Sequence, residues 1–561
     1  MQRHGLPDIV ARILAARGVD LDTAASFLDP RLRQLLPDPC RLQDMRTGAE
    51  RLVRAIAAGE KIAVFGDYDV DGATSAALLL RFLRAVSAAP PGLYVPDRLR
   101  EGYGPNAPAL QKLAREGVSL VVTVDCGIAA HDALGAASAA GLDVIVVDHH
   151  QPAAALPPAV AVINPKRIDD DSGLVHLCAA GVAFLLTVDA NRLLRAAGWY
   201  AHRPEPDLRQ WLDLVALGTV CDVVPLTGVN RAFVAQGLRI MAQRGNPGLR
   251  ALADVAGLTA AANERDLGFA LGPRINAGGR VGEADLGARL LSTDDPSEAQ
   301  KLARRLDGLN RERQAIEQDV LCDVLARHCP GTDADSPLIW AVGEGWHPGV
   351  VGIVASRLAE RFGKPAVVIG LDGEQGIASG RSLPGIDLGA AVNAAAAAGL
   401  LIKGGGHAMA AGFSVATERV AEVFAFLSTR LRGNGGLKAA STPFLRVDGE
   451  LTLRGAAALA VEAVAALAPY GAGHAEPRFV IESVRLGPVR RIGRDHLACT
   501  LVDGNGTRLP AVAFRCADQP LGRALLAHSG AAFHLAGRLQ PGRSRSAGVQ
   551  FVIDDAAPAW G

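Results

Sequence analysis

The segment Lys61–Ala73, KIAVFGDYDVDGA, sets three carboxylates within five residues directly behind a short apolar run. Lys61–Phe65 reads as a buried strand, and Asp67, Asp69 and Asp71 follow it before Gly72. Like charges at that separation raise one another's pKa and do not pack together uncompensated. A divalent cation is the natural compensation. D-x-D-x-D-G also opens a calcium loop, but that loop needs an entering helix and a bidentate glutamate at its twelfth position. Counted from Asp67, the twelfth residue is Leu78, and a strand precedes the run, so the calcium loop is excluded. Asp69 and Asp71 would point the same way if the strand continued. Asp67 reads as an Asx-type turn capping a helix from Thr74.

Two further apolar runs end in the same manner. Val118–Val124 releases Asp125-Cys126-Gly127, and Val144–Val147 releases Asp148-His149-His150. Helical stretches over 47–58 and 74–86 lie around the first run, so the fold class is α/β with a parallel sheet covered on both faces. Ligands of such sheets bind outside the carboxyl ends of the strands. The acids and histidines therefore converge on one crevice. Asp222, behind an apolar helix within 211–226, is expensive to bury unpaired and is a candidate fourth contributor. Mixed imidazole and carboxylate ligation suits manganese or another borderline divalent ion. More carboxylates than one ion needs suggests two. His131 and His176 stand alone and read as ordinary polar residues.

At 561 residues the chain exceeds one core. Residues 1–45 read as a helical leader, 46–235 as the first α/β domain and 236–335 as a helical connector with one long amphipathic helix over 296–328. Residues 336–444 form a second α/β domain, and 445–561 show short alternating runs with turn signals at 503–506 and 541–544, the pattern of a small β-barrel. Lys plus Arg and Asp plus Glu balance at 58 each, so any polyanion site must be a local patch. Arg478–Arg545 is that patch, with eleven arginines against Glu482, Asp495, Asp503 and Asp518. Aromatics are few there, which favours phosphate contacts over base stacking. In the second α/β domain, ASGRS supplies Ser379 and Arg381, and KGGGH supplies the amides of Gly404, Gly405 and Gly406 between Lys403 and His407. Together they favour a phosphate clamp. Arg98, Arg274 and Arg280 stand in glycine-rich segments where arginine often meets phosphate, whereas solvation accounts for Arg100. Eight cysteines without a CxxC pair fit neither a disulfide framework nor a zinc finger, and the expected compartment is the cytoplasm. The N-terminus does not read as a signal peptide, and no apolar run is long enough to span a membrane.

In combination, GDYDVDG, TVDCG, VDHH and GTVCDVVPL resemble the four motifs of the DHH phosphoesterase superfamily, and ASGRS with GGGHAMAAGF is similar to its DHHA1 accessory domain. PDRLREGYG, GPRINAGGR and WHPGVVGIVASR occur in the order found in the superfamily's bacterial single-stranded-DNA exonucleases, which the chain resembles from about residue 40 onward. The resemblance implies a 5′→3′ exonuclease of recombination and repair, dependent on manganese or magnesium. It implies Asp69, Asp71, Asp125, His149 and Asp222 as metal ligands, His150 at the scissile phosphate, and Asp67 outside the ligand set. Arg98, Ser379, Arg381 and a Gly404–His407 loop would hold the 5′-terminal phosphate, Arg274 and Arg280 would line the channel, and the barrel would be OB-like. Single-stranded DNA is the implied substrate, and a single-stranded-DNA-binding protein and a recombination helicase are implied partners. Two other readings are a DHH hydrolase of short oligoribonucleotides or cyclic dinucleotides, and an inactive DNA-binding scaffold. The connector and basic barrel argue for a longer polymer, and the intact acids and histidines argue against a scaffold. A pyrophosphatase would leave the barrel without a role.

Overall fold

The computed structural model describes residues 6–98, 100–327, 336–433, 444–458, 464–493, 495–541 and 548–559. Two compact units emerge, one of Asp38–Asp222 with Gly237–Pro443, the other of Met1–Pro37, Val223–Gln236 and Phe444–Gly561.

The first unit opens on a parallel sheet of β1 (Ile62–Gly66), β2 (Gly92–Tyr94), β3 (Leu120–Val124), β4 (Asp143–Val147) and β5 (Ala161–Ile163), in the order β2-β1-β3-β4-β5. β1 and β3 are buried along their whole length, which explains their unbroken apolar sequence. Helices Ala107–Arg115 and His131–Ala139 cover one face through Leu110, Leu113 and Leu134. On the other face, helix Met45–Ala58 brings Gly48 against Ile145, Ala161 and Ile163. The expected sheet is present, extended by β2 and β5.

Helices carry the chain from there to residue 326. The last of them, Pro296–Ala326, is 31 residues long and buries Leu302, Leu306, Leu309, Val320 and Val324, as the periodicity predicts. A second, mixed sheet follows: β6 (Ile339–Glu344), β7 (Ala366–Asp372), β8 (Gln375–Arg381), β9 (Lys403–His407) and β10 (Ala410–Ala416), in the order β6-β7-β8-β10-β9. The Gly404–His407 segment is therefore not a loop. It is part of edge strand β9, with Gly404, Gly405 and Gly406 opposite Phe413, Gly412 and Ala411. Glycine has little intrinsic preference for a strand, and hairpin pairing with β10, which starts at Ala410, overrides that.

In the second unit, β12 (Phe479–Leu486), β14 (His496–Val502), β15 (Arg508–Ala513), β16 (Ala532–Pro541) and β17 (Val549–Pro558) close into a five-stranded barrel through the β12–β14 pairing, with β11 (Gly449–Glu450) and β13 (Arg490–Ile492) at its margins. Helices Asp8–Ala16 and Leu21–Leu28 of the leader insert Val10, Ile13, Leu14 and Ala24 into the barrel's core. Arg231, 1% exposed, fastens this arrangement by donating to the carbonyls of Phe27, Leu467, Ala468 and Pro469. A planar five-donor fork suits such a multiple contact. The turn at 503–506 is present. Gly542–Ser544 of the second expected turn, Cys329, Arg494, Arg543 and Arg545 lie outside the described residues. The other seven cysteines are free thiols, and no helix among the described residues is long and apolar enough to cross a membrane.

Candidate metal centre

Strand β1 stops at Gly66, and the next helix starts at Val70, four residues earlier than expected. Asp69 is its N-cap and accepts from the Gly72 amide at 3.0 Å. The strand does not continue through the motif, so Asp69 and Asp71 project from a cap and a first helical turn. The capping role expected of Asp67 belongs to Asp69. The turn is tight: a Cβ at Gly72 would lie 2.5 Å from the Asp67 carbonyl oxygen. Asp71, 2% exposed, accepts from the amides of Ala179 (2.6 Å) and Ala180 (2.9 Å). These begin helix Ala179–Ala196, whose unpaired amides and dipole favour an anion. Asp125 leaves β3 in a left-handed conformation, φ +60°, with its amide bonded to the Val147 carbonyl. Aspartate tolerates that region better than most residues. Asp222 caps the C-terminus of helix Leu212–Cys221.

His149 stands where these elements meet. Its Nε2 is 3.2 Å from Asp125 Oδ1 and 3.7 Å from Asp71 Oδ2, and its Nδ1 is 3.6 Å from Asp222 Oδ2. Three overlapping groups have ligand atoms within 4.8 Å of one another: Asp125 with His149 and His150; Asp71 with His149 and Asp222; Asp67 with Asp69 and Asp125. The motifs read as convergent do converge, and the third group includes Asp67. Asp125 Oδ1, His149 Nδ1 and Asp222 Oδ2 are buried acceptors without a hydrogen-bond partner. Leaving such atoms unpaired is costly, and a cation would satisfy them. Burial, then the charge of Asp69, raises the pKa of Asp67 and of Asp71 to about 7. Burial, then Asp71 and Asp69, raises Asp222 to about 8, and Asp125 is pushed up by burial and the same neighbours. Burial and nearby His150 lower His149 to about 3, leaving a neutral imidazole, the form that binds metal.

Asp148 does different work. Its Oδ1 accepts from the His149 and His150 amides and from His150 Nδ1 at 2.8 Å, and its Oδ2 accepts from Ile128. Burial opposes its ionisation, but His150 and these amides outweigh burial and hold its pKa below the usual value. Burial likewise opposes charge on His150, and Asp148 overcomes it and raises the ring's pKa. His150 is thus an oriented ring at the rim of the crevice, with Tyr103 beside it. The Tyr103 hydroxyl donates to the Asp125 carbonyl at 2.8 Å. Tyr103 and Tyr68 were not singled out from sequence. Each sits inside a motif read for its neighbours, and only tertiary contacts show its role.

The phosphate-clamp residues assemble next to Tyr68. Its hydroxyl accepts from Arg98, whose guanidinium lies 5.3 Å from the ring centroid. Burial, then the nearby charges of Arg280 and Arg98, lowers the pKa of Arg381. Like charges gathered in this way would be compensated by an anion. Arg381 donates to Ser379 Oγ at 3.1 Å. Strand register sets Ser379 beside Gly412 and Gly405, and Arg381 beside Ala410 and His407, on one sheet face of small residues. Arg280 donates to the Gly349 carbonyl at 3.1 Å. Arg274 is engaged otherwise: it donates to Asp307 at 2.9 Å and to the Ala270 carbonyl at 2.6 Å, which ties its helix to Pro296–Ala326.

A parallel sheet with carboxylates and imidazole at its strand ends is the arrangement of the DHH class, and residues 61–219 match the DHH family, N-terminal domain. Residues 335–433 match the DHHA1 domain, and 447–555 the RecJ OB domain. The chain is 37% identical to the single-stranded-DNA-specific exonuclease RecJ of Bacillus subtilis, over 91% of its own length and 63% of that protein's. It is 39% identical to the RecJ of Dickeya dadantii, covering 91% and 89% of the two chains. The RecJ of Thermus thermophilus in complex with Mn2+ superposes with a TM-score of 0.80 at 31% identity, over 99% of this chain and 77% of that one. The chain belongs to the RecJ family.

Proposed function

We propose that the protein is an exonuclease that degrades single-stranded DNA from the 5′ end in recombination and repair. One observation carries this reading: a buried carboxylate–imidazole cluster with unpartnered acceptors lies one residue, Tyr68, from three converging guanidinium groups. Asp69, Asp71, Asp125, His149 and Asp222 would hold manganese or magnesium in two positions, and their geometry adds Asp67 to that set. Bound ions of this kind supply an activated water and neutralise charge on the phosphodiester. The chain's own groups do the rest. Asp148 orients His150 and raises its pKa, so that the ring would donate to the scissile phosphate. Arg98, Arg381 and Arg280 hold the terminal phosphate, and glycine-lined β9 and β10 let the backbone approach Ser379. Arg274 acts as a strut through Asp307. Free thiols support a reducing compartment, the cytoplasm. A single-stranded-DNA-binding protein and a recombination helicase, which protect and expose such strands, fit as partners.

The test is digestion of end-labelled single strands with manganese, with and without a 5′ phosphate, beside Asp125→Ala. Stepwise release of nucleotides from the 5′ end, lost in the variant, is expected. Cleavage indifferent to Asp125→Ala, or none on DNA, contradicts the reading. Turnover confined to short oligoribonucleotides or cyclic dinucleotides would move the protein to another branch of the class.

A further inference from the structure

Phe269 stands 76% exposed in the middle of a π-helical turn, Leu267–Leu271. Such turns are rare and are found frequently at functional sites. Neighbouring residues place the turn. The Cys221 thiol donates to the Leu267 carbonyl at 3.4 Å, Gly268 faces Val220, and the backbone at Gly272 lies against Cys221 and Val70. Cys221 immediately precedes Asp222, and Val70 lies between Asp69 and Asp71. The turn therefore borders the metal centre. Helix Gly272–Val281 continues from it, passing Tyr68 so closely that a Cβ at Gly279 would fall 2.0 Å from the ring, and carries Arg280 near its end. Asn276 is one turn before Arg280, so the two fall on one side of the helix that continues from the Phe269 turn. Asn276 Oδ1 is buried with no hydrogen-bond partner. Cation, amide and aromatic ring thus follow one another from the phosphate cluster past the metal centre.

We propose that Phe269 is a stacking platform for an unpaired nucleobase of the substrate, on the far side of the scissile bond from the terminal phosphate. The inference rests on the function proposed above. Eleven residues separate Phe269 from Arg280, about 16 Å of helix axis, so the stacked base belongs to a nucleotide interior to the phosphate that Arg280 holds. Base–aromatic stacking tolerates any sequence because every base has a π-face. A base spread on the ring cannot also pair with a complementary strand, so this contact selects single strands.

The experiment compares wild type, Phe269→Ala and Phe269→Trp, as full chains with manganese, on oligonucleotides carrying one abasic residue moved stepwise from the 5′ end. Phe269→Ala is expected to raise KM about tenfold with kcat nearly unchanged, and Phe269→Trp to retain the wild-type KM. In wild type one abasic position should reproduce the loss, and in Phe269→Ala that position should add nothing. Wild-type KM in Phe269→Ala, or abasic penalties identical in both proteins at every position, overturns the stacking role. A wild-type protein without activity on single strands overturns the proposed function instead. Phe269 is exposed, so the thermal midpoints of all three proteins should coincide, and a lowered midpoint that accounts for the loss also counts against the proposal.

Discussion

The division of labour within Asp148-His149-His150 shows how adjacent residues acquire different chemistry from their surroundings. His149 is buried and neutral, with a ring lone pair free for a cation, whereas His150 is half exposed and hydrogen-bonded to Asp148, which raises its pKa. Asp148→Asn keeps the shape but removes the charge that orients His150 and raises its pKa. Activity should fall on the order of 100-fold, the scale of losing a positioned proton donor, in steady-state assays at saturating manganese. The carboxylates predict a pH dependence. The folded-state pKa values of Asp67 and Asp71, about 7, and of Asp222, about 8, exceed that of an unfolded aspartate. Metal-free protein therefore holds the extra protons at acid pH and loses their stabilisation as pH rises toward 8. Cations need the ionised forms, so the manganese-induced rise in Tm should grow between pH 6 and about 8. Scanning calorimetry at fixed metal checks both. Asp125, Asp222 and the histidine pair were legible because each follows an apolar run. Tyr68 and Tyr103 were not, because their partners lie far along the chain.

At the scale of elements, the strand-to-helix turn at Asp67–Val70 and the long helix Pro296–Ala326 position everything else. Gly72→Ala would press a methyl group onto the Asp67 backbone. We expect a loss of about 1–3 kcal/mol in denaturant unfolding and a larger proportional loss of activity, since the displaced residues are the acids. Asp307 is buried between Arg274 and Arg311 on the long helix. Asp307→Ala leaves Arg274 partly buried without its carboxylate, which should cost about 3 kcal/mol or more by the same measurement. That helix was readable because its apolar period persists over 31 residues. β2 and β5, three residues each, carry too little pattern to be seen. The early helix start was hidden because Asp69 can equally end a strand or cap a helix. KGGGH looked like a loop because its glycines carry no strand pattern of their own, and pairing with β10 across a two-residue turn makes it a strand.

For the whole molecule, a balanced net charge conceals a local design. Arg485 and Arg508 share a rung with Val502 across β12, β14 and β15, and Arg490 is paired with Ala498 nearby. These exposed arginines face outward while Leu486, Leu501 and Leu509 fill the barrel. Replacing the three arginines with alanine should weaken binding of long strands and reduce the salt dependence, lowering the slope of log K against log salt by roughly 2. Hydrolysis of very short oligonucleotides should change little. The order of domains was visible from changes in sequence texture, but the leader's insertion into the barrel core was not, since its small apolar helices could cover any domain. The central claim is that the crevice at the strand ends holds divalent cations, and titration of manganese into metal-free protein followed by electron paramagnetic resonance tests it most directly. Wild type should bind two ions, and Asp125→Ala should bind fewer and lose the manganese-dependent rise in Tm. Equal stoichiometry in the two proteins, or no bound ion in wild type, would contradict the account.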